Sequence, residues 1–291
     1  MIRRSLRAMG TDLELLVVPD RAEDEARDAL EDAVAEVGAI ERIASRFDPG
    51  SELSRLNAAG RARVSVELLR MVRLAVALRA ATGGRFDPTM GRAVAAAGYD
   101  RTLDEVPADG PPPGPPAPGG GRVRIDDRGG IITLGPGVAL DLGGIAKGWA
   151  ADRAADVLGA TGSCLVSVGG DIAVRGAMAG SPWPVGIVRG DGPATLALWR
   201  GGMATSGRDR RHWRRAGEAM HHVIDPATGA PSATDLVRVT VVAGDAAHAE
   251  AWATALLVAG CAGARRLSLR EGLPAVLVRA DGATLDVGGV G

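Results

Sequence analysis

Val138-Ala-Leu-Asp-Leu-Gly-Gly-Ile-Ala-Lys-Gly148 is the stretch on which the reading of this chain turns. An apolar run, readable as a strand, passes through paired glycines into a helix predicted over Ala146–Leu158. A turn with so few side chains lets backbone N–H groups approach a phosphate, and a helix start adds the positive end of its dipole. Glycines also make tight turns and let helices pack closely, so the residues alone leave both readings open. What the stretch excludes is firmer. It fits neither G-x-G-x-x-G nor G-x-x-x-x-G-K-[ST], which sets aside the dinucleotide and P-loop turns of a doubly wound sheet.

Outward from that turn, the pattern is irregular. Towards the N-terminus, Met9–Val18 alternates as a strand, and Arg21–Ala44 reads as an amphipathic helix through Ala26, Leu30, Ala33, Val37 and Ile40. Ser65 is placed to cap a second helix through Leu68, Val72, Ala75 and Leu78. Residues 107–121 are rich in Pro and Gly and read as an exposed loop, followed by short strands near 122–125 and 131–134. Beyond the turn come strand-like runs at Cys164–Val174, Val185–Val188, Leu196–Trp199, Leu236–Ala243 and Ala275–Val278. A helical pair, Ala246–Val258 and Ala262–Leu269, lies among the last of them. Mixed order with late hairpins predicts a layered α+β fold.

Composition narrows the function. The 291 residues carry a formal net charge of −1, against a broad nucleic-acid surface, which needs a strongly basic domain. No run approaches the roughly 18–20 apolar residues of a membrane span. Residues 1–16 reach Asp12 and Glu14 without an apolar signal core, and Cys164 and Cys261 form no C-x-x-C, so a reducing cytoplasm is expected. Of 34 basic Lys and Arg residues only Lys147 is lysine, Asn57 is the only asparagine, and glutamine is absent. In so biased a composition, single residues of a kind mark positions where the common substitute fails, unless they survive by accident.

Three further features carry chemistry. Asp245 suits an N-cap, and Glu250 and Thr254 follow at i,i+4 on one helix face. A carboxylate and a hydroxyl so placed suit Mg²⁺, which takes few protein ligands, though an ordinary polar helix face has the same spacing. His221-His-Val-Ile-Asp-Pro-Ala-Thr-Gly229 sets two histidines before a turn, where one could act as general base or both could simply pack and hydrogen-bond. His248 reads as solvated.

Taken in order, eight blocks resemble the ApbE family, the FAD:protein FMN transferases. They are Met9-Gly-Thr11, Ser45-Arg-Phe-Asp-Pro-Gly-Ser-Glu-Leu-Ser-Arg-Leu-Asn57, Gly84-Arg-Phe-Asp-Pro-Thr-Met-Gly91, Asp141–Gly148, Val168-Gly-Gly-Asp-Ile172, Ala204-Thr-Ser-Gly207, His222–Pro231 and Glu250-Ala-Trp-Ala-Thr254. The resemblance implies an α+β, T-fold-like, two-part layered α/β architecture with FAD in the cleft between the parts, and one catalytic unit over residues 1–291. It implies that, with Mg²⁺, FMN passes from FAD to a threonine of an acceptor protein bearing a Gly-Ala-Thr-type motif, releasing AMP. FAD hydrolysis to FMN and AMP, and flavin binding without catalysis, are the competing readings.

Residue by residue, the same resemblance implies that Met9 and Phe47 meet FAD, as do Arg85, Phe86, Asp87, Asp141, Lys147 and Ile224. Gly144, through its carbonyl, would join Glu250 and Thr254 at the metal, and His222 would be the catalytic base. The family more often has Asp where this chain has Glu250, which lengthens the arm by one methylene. Asp281-Gly-Ala-Thr284 resembles the acceptor motif itself, and equally reads as an Asp-Gly hairpin turn.

Overall fold

A computed structural model describes residues 1–20 and 22–289. Eight strands build its main sheet: β1 (Ile2–Ala8), β2 (Thr11–Pro19), β3 (Gly162–Val168), β4 (Asp171–Arg175), β5 (Gly201–Gly207), β6 (Leu236–Ala243), β7 (Ala275–Arg279) and β8 (Thr284–Val287). They lie in the sheet in that order, every neighbouring pair antiparallel. The topology is therefore a meander into which the other elements are inserted. The largest insertion, between β2 and β3, carries the helices α1 (Glu23–Ala44), α2 (Glu52–Ala59), α3 (Val66–Ala81), α4 (Gly91–Ala96) and α5 (Ala146–Leu158), while α6 (Ala246–Glu271) joins β6 to β7.

Alternation along the strands fixes the layers. Leu13, Leu15 and Val17 of β2, with Cys164, Val166 and Val168 of β3, pack into the core shared with α1, α5 and α6. The intervening Leu16, Val18 and Leu165 point to a second core, where the hairpin Trp183–Arg189/Gly192–Leu198 covers the opposite face around the buried Trp183. A third, smaller cluster sits apart from both: α4 and Tyr99 meet Trp213, Met220 and Ile224 of the segment between β5 and β6.

Several expectations are corrected. Met9 is no strand residue: Met9 and Gly10 form the two-residue turn between β1 and β2, both at positive φ (53° and 67°). Cys164–Val174 is two strands, because Gly169 and Gly170 (φ 64° and 93°) turn the chain back on itself, as tight antiparallel hairpins require. Val138–Leu142 joins no ladder; one bridge, Met90 to Ala139, holds it. The expected helical pair is present: α6 is two helices meeting at a kink at Gly260, whose φ of 67° and ψ of 168° are not helical. Strand β1, α2 and α4 had no expectation. The predicted first helix begins at Glu23, and Arg21 lies outside the described residues. Ser65 and Asp245 cap α3 and α6 as their positions suggest, accepting from Leu68 N and His248 N.

The Pro/Gly-rich loop is exposed over most of its length yet strapped down. Gly114 N donates to Ala96 O, Gly119 N to Pro226 O and Gly120 N to Asp87 Oδ2. It thus ties the α4 region to the segment holding His222.

Candidate active site

The glycine turn is held from both sides. Asn57 donates to Leu140 O (2.9 Å) and accepts from Leu140 N (2.8 Å), closing the backbone just before Asp141. That use needs a donor and an acceptor on one short side chain, which only an amide supplies. Asp141 then accepts from Gly143 N (2.7 Å) and pairs with Arg46 Nε (3.1 Å). The Arg46 guanidinium in turn lies over the rings of Phe47 and Tyr99, 4.1 and 4.6 Å from their centroids. Arg46 was not singled out in sequence, and it links two residues that were.

Past the turn, Gly148 has no room for a side chain: a Cβ there would sit 2.4 Å from Ala246 O. This close approach of α5 to the start of α6 brings Lys147 to Glu250. The Lys147 ammonium hydrogen-bonds both Glu250 and Asp171, the first residue of β4. Gly148 N donates to the other Glu250 oxygen (2.9 Å). The three side chains are 16%, 4% and 3% exposed for Lys147, Glu250 and Asp171. Burial works against the lysine's charge, but the two carboxylates outweigh it and hold its pKa above the ordinary lysine value. Burial pushes the Glu250 carboxyl well up, Asp171 adding to the push and Lys147 pulling against it. Raised to about 8, Glu250 holds its proton at neutral pH beside the charged Lys147, and an entering cation would have to displace that proton.

One turn along α6, Thr254 shares a hydrogen bond with Ser206 of β5 (2.9 Å between hydroxyl oxygens). Gly144 stands against it: a Cβ there would lie 3.7 Å from Thr254 Oγ1 and 3.1 Å from the Phe86 ring. Among the described residues no three His, Cys, Asp or Glu side chains form a metal-holding group. A cation here would therefore draw on Glu250, a hydroxyl and a backbone carbonyl, a set of hard oxygens that fits Mg²⁺ and its preference for few protein ligands.

His222 is approached from other elements. It follows the hairpin His212–Arg215/Glu218–His221 and precedes Ile224, which pairs with Pro231. Its Nδ1 lies 3.4 Å from Arg211 O, and its ring stands edge-on to Tyr99 at 6.4 Å. Burial, then Arg211, then lesser contributions from His221 and Lys147 push its pKa down to about 3. The ring is neutral at working pH, with Nε2 free of the contact made by Nδ1.

The other residues divide. Ile224 is buried with Tyr99 and Trp213, and Phe47 packs edge-on against Tyr99 at 5.5 Å. Met9 is half-buried at its turn, a conformation uncommon for a residue with a Cβ. Asp87, by contrast, is occupied: it accepts from Thr89 N, Thr89 Oγ1 and Gly120 N, with Arg79 at 3.6 Å. Its carboxylate anchors the Pro/Gly-rich loop, and Arg85 is exposed, donating to Thr82 O at 3.3 Å. His248 is not free in solvent, since its Nδ1 meets Asp245 at 2.8 Å. The Asp281–Thr284 segment is a hairpin turn, with Ala283 N on Asp281 Oδ1 (3.0 Å) and Thr284 Oγ1 accepting from Gly190 N (2.9 Å).

Sequence reading did not single out Asp171, Ser206 or Arg211. The first two lie inside quoted blocks, and the Asp after Gly169-Gly170 was the available signal. A groove of about 320 Å³ opens a turn beyond Thr254, lined by Asp225, Ser232, Thr234, Asp235, Val258 and Gly260.

Fold and site together define a mixed α/β protein that sets a buried lysine–carboxylate centre beside hydroxyl oxygens and a neutral histidine. The family model "ApbE family" matches residues 9–277, and this chain belongs to that family. It is 34% identical over 233 residues to the FAD:protein FMN transferase of Salmonella typhimurium, covering 75% of this chain and 67% of that one. The enzyme of the same name from Klebsiella pneumoniae is 31% identical over 296 residues, covering 95% and 83%. Among solved structures, the ApbE protein of Thermotoga maritima superposes with a TM-score of 0.85 at 27% identity, over 98% of this chain and 96% of its own. The apo flavinyl transferase ApbE of Pseudomonas stutzeri gives 0.81 at 25%, over 98% and 94%.

Proposed function

We propose that this chain is an FAD:protein FMN transferase, passing FMN from FAD to a threonine hydroxyl of an acceptor protein and releasing AMP. The observation that carries the reading is the gathering of Lys147, Glu250, Thr254 and His222 about one end of α6 and β5, in a chain that shares the fold and family of named transferases over nearly its whole length. FAD would lie in the cleft between the sheet-and-helix part and the aromatic part, its flavin against Met9 and Phe47 and near Ile224. Asp141 and Lys147 would meet it at the glycine turn, Phe86 lining the same side. Asp87 and Arg85 serve that site less directly, through the loop each borders.

Glu250, Thr254 and the Gly144 carbonyl would hold Mg²⁺, which supplies charge neutralisation on the pyrophosphate and makes its phosphorus more electrophilic. His222 takes the acceptor proton at Nε2 as the threonine oxygen bonds to the phosphorus of the FMN half. The bridging P–O bond breaks and AMP leaves with the electron pair. Tyr99 and Arg211 O fix the imidazole's plane, so that the free nitrogen is presented rather than turned away. The acceptor would carry the Gly-Ala-Thr-type motif.

One catalytic unit over residues 1–291 working in the cytoplasm completes the reading. Cys164 and Cys261 are free thiols, and no helix among the described residues is long and apolar enough to cross a membrane. Incubation with FAD, Mg²⁺ and a motif-bearing peptide tests it. Equimolar AMP and flavinyl-peptide are expected; AMP without flavin on the peptide would replace transfer by hydrolysis, and no AMP at all would leave a flavin carrier.

A further inference from the structure

We infer that Arg211 is the side chain that receives the pyrophosphate of the flavin dinucleotide. The inference rests on the transferase reading above and adds to it a residue outside every metal, base or flavin role assigned there. Gly207-Arg-Asp-Arg-Arg-His-Trp-Arg-Arg215, leaving β5 for the hairpin, carries five arginines against one aspartate. Two of the arginines and the aspartate are engaged. Arg208 Nε donates to Leu236 O (2.9 Å), Asp209 pairs with Arg238, and Arg214 Nη1 donates to Gly217 O (3.1 Å). Arg215 lacks a partner among the described residues, its Nε buried without a hydrogen bond, but it lies against Gly98 and Gly110 and pairs in register with Glu218 at the turn end of the hairpin, the end away from His222. Arg210 is exposed.

What distinguishes Arg211 is its place beside His222 and Lys147. It is half-buried, and among the described residues its guanidinium has neither a carboxylate within 4 Å nor a hydrogen-bond acceptor. The hairpin register pairs His212 with His221, so the next rung outward sets Arg211 beside His222, whose Nδ1 meets the Arg211 carbonyl. Its positive charge reaches both His222 and Lys147. Lys147 has two carboxylates to answer it. Arg211 has none.

A partly desolvated cation without a counter-ion, beside a second cation and the proposed base, is an arrangement that an entering anion completes. The planar fork of arginine matches two oxygens of adjacent phosphates, whereas a riboflavin moiety offers it nothing of that charge. The inferred ligand is therefore the dinucleotide's phosphates rather than its ring.

Titration of flavin fluorescence with the full chain, in EDTA so that bound metal does not contribute, separates the two. Arg211→Gln should weaken FAD binding by about 10- to 100-fold, the range of one lost charged hydrogen-bond pair, and leave riboflavin binding unchanged. Arg211→Lys should recover part of the loss, because the charge returns without the fork. Equal losses for FAD and riboflavin would make Arg211 structural and overturn the inference. Unchanged FAD affinity with a raised KM for the acceptor peptide would overturn it in favour of acceptor docking. Wild-type protein that binds FAD but forms no flavinyl-peptide would sink the transferase reading alone, while the FAD-to-riboflavin ratio still decides Arg211.

Discussion

The Lys147 centre and the His222 centre sit close together and are built from opposite materials. Lys147, Asp171 and Glu250 stand on α5, β4 and α6, three regular elements packed into the main core, and their charges are nearly sealed from water. His222 stands between two short hairpins, beside a strapped loop, with the Tyr99 ring edge-on to it. A buried ion cluster tolerates little displacement, because each ångström of lost contact exposes an unpaired charge to a low dielectric. A group that takes up a proton needs the reverse: a held plane, one free nitrogen, and surroundings that change when substrate enters. The molecule puts each group on the scaffold its chemistry requires.

That contrast is broken hardest at His222. His222→Ala should lower kcat for flavinyl-peptide formation by about 10²- to 10⁴-fold, the usual contribution of a general base. FAD affinity and thermal stability should hardly move, since no regular element rests on this ring. An equal collapse of stability would place His222 with the structural residues and erase the distinction.

The reverse pattern is expected at Lys147. Lys147→Met leaves Asp171 and Glu250 buried against each other with no cation, at a cost of about 3–5 kcal/mol in folding free energy. Denaturant titration should show it even without FAD. Lys147→Arg keeps the charge but must fit a wide planar fork where Gly148 already touches Ala246, so it should weaken FAD binding or turnover. Unchanged FAD affinity and rate in the Lys147→Arg variant would mean that the single lysine is accidental.

The two regions were also unequally legible in sequence. Ala146–Leu158 is helical as predicted, and the i,i+4 spacing of Glu250 and Thr254 does put both towards the glycine turn, because helix periodicity is a local property. The partners that give those residues meaning are not local. Lys147 meets Glu250 across 103 positions and Asn57 meets Leu140 across 83. Arg46 and Arg211, two arginines among many, look like surface residues until Asp141 and His222 are brought beside them. Strand limits failed where glycine decided them: Gly169-Gly170 and Met9-Gly10 turn the chain inside runs that hydrophobic pattern alone joins together.

Acid sharpens the comparison on a smaller scale. The His222 pKa lies near 3 in the folded chain and near 6.5 for an ordinary histidine. Below about pH 6.5 the unfolded chain therefore takes up a proton that the folded one refuses. Stability from this group is complete above that pH and is lost as pH falls towards 3, by at most about 3 kcal/mol at pH 4. His222→Asn should flatten that part of the acid limb in urea titrations. An unaltered limb would show the ring free to protonate in place.

The smallest expected effect tests how the two regions are joined. Asn57 and Arg46 come from the chain around α2, and through Leu140 and Asp141 they fix the turn that carries Lys147, while Arg46 also lies over Tyr99, the ring that meets His222. Asn57→Asp keeps the acceptor for Leu140 N but cannot, when ionised, donate to Leu140 O. It leaves one carbonyl unanswered and adds a negative charge near Asp141, at a cost of about 1–3 kcal/mol. Because the same turn presents Lys147 and Gly144, FAD binding should weaken with stability, whereas the residual kcat at saturating FAD should stay close to normal. If stability falls with no change in FAD affinity, Asn57 holds only the fold. If FAD affinity falls with stability intact, the turn is adjustable, and the rigidity ascribed to the Lys147 side does not extend to the loop that leads into it.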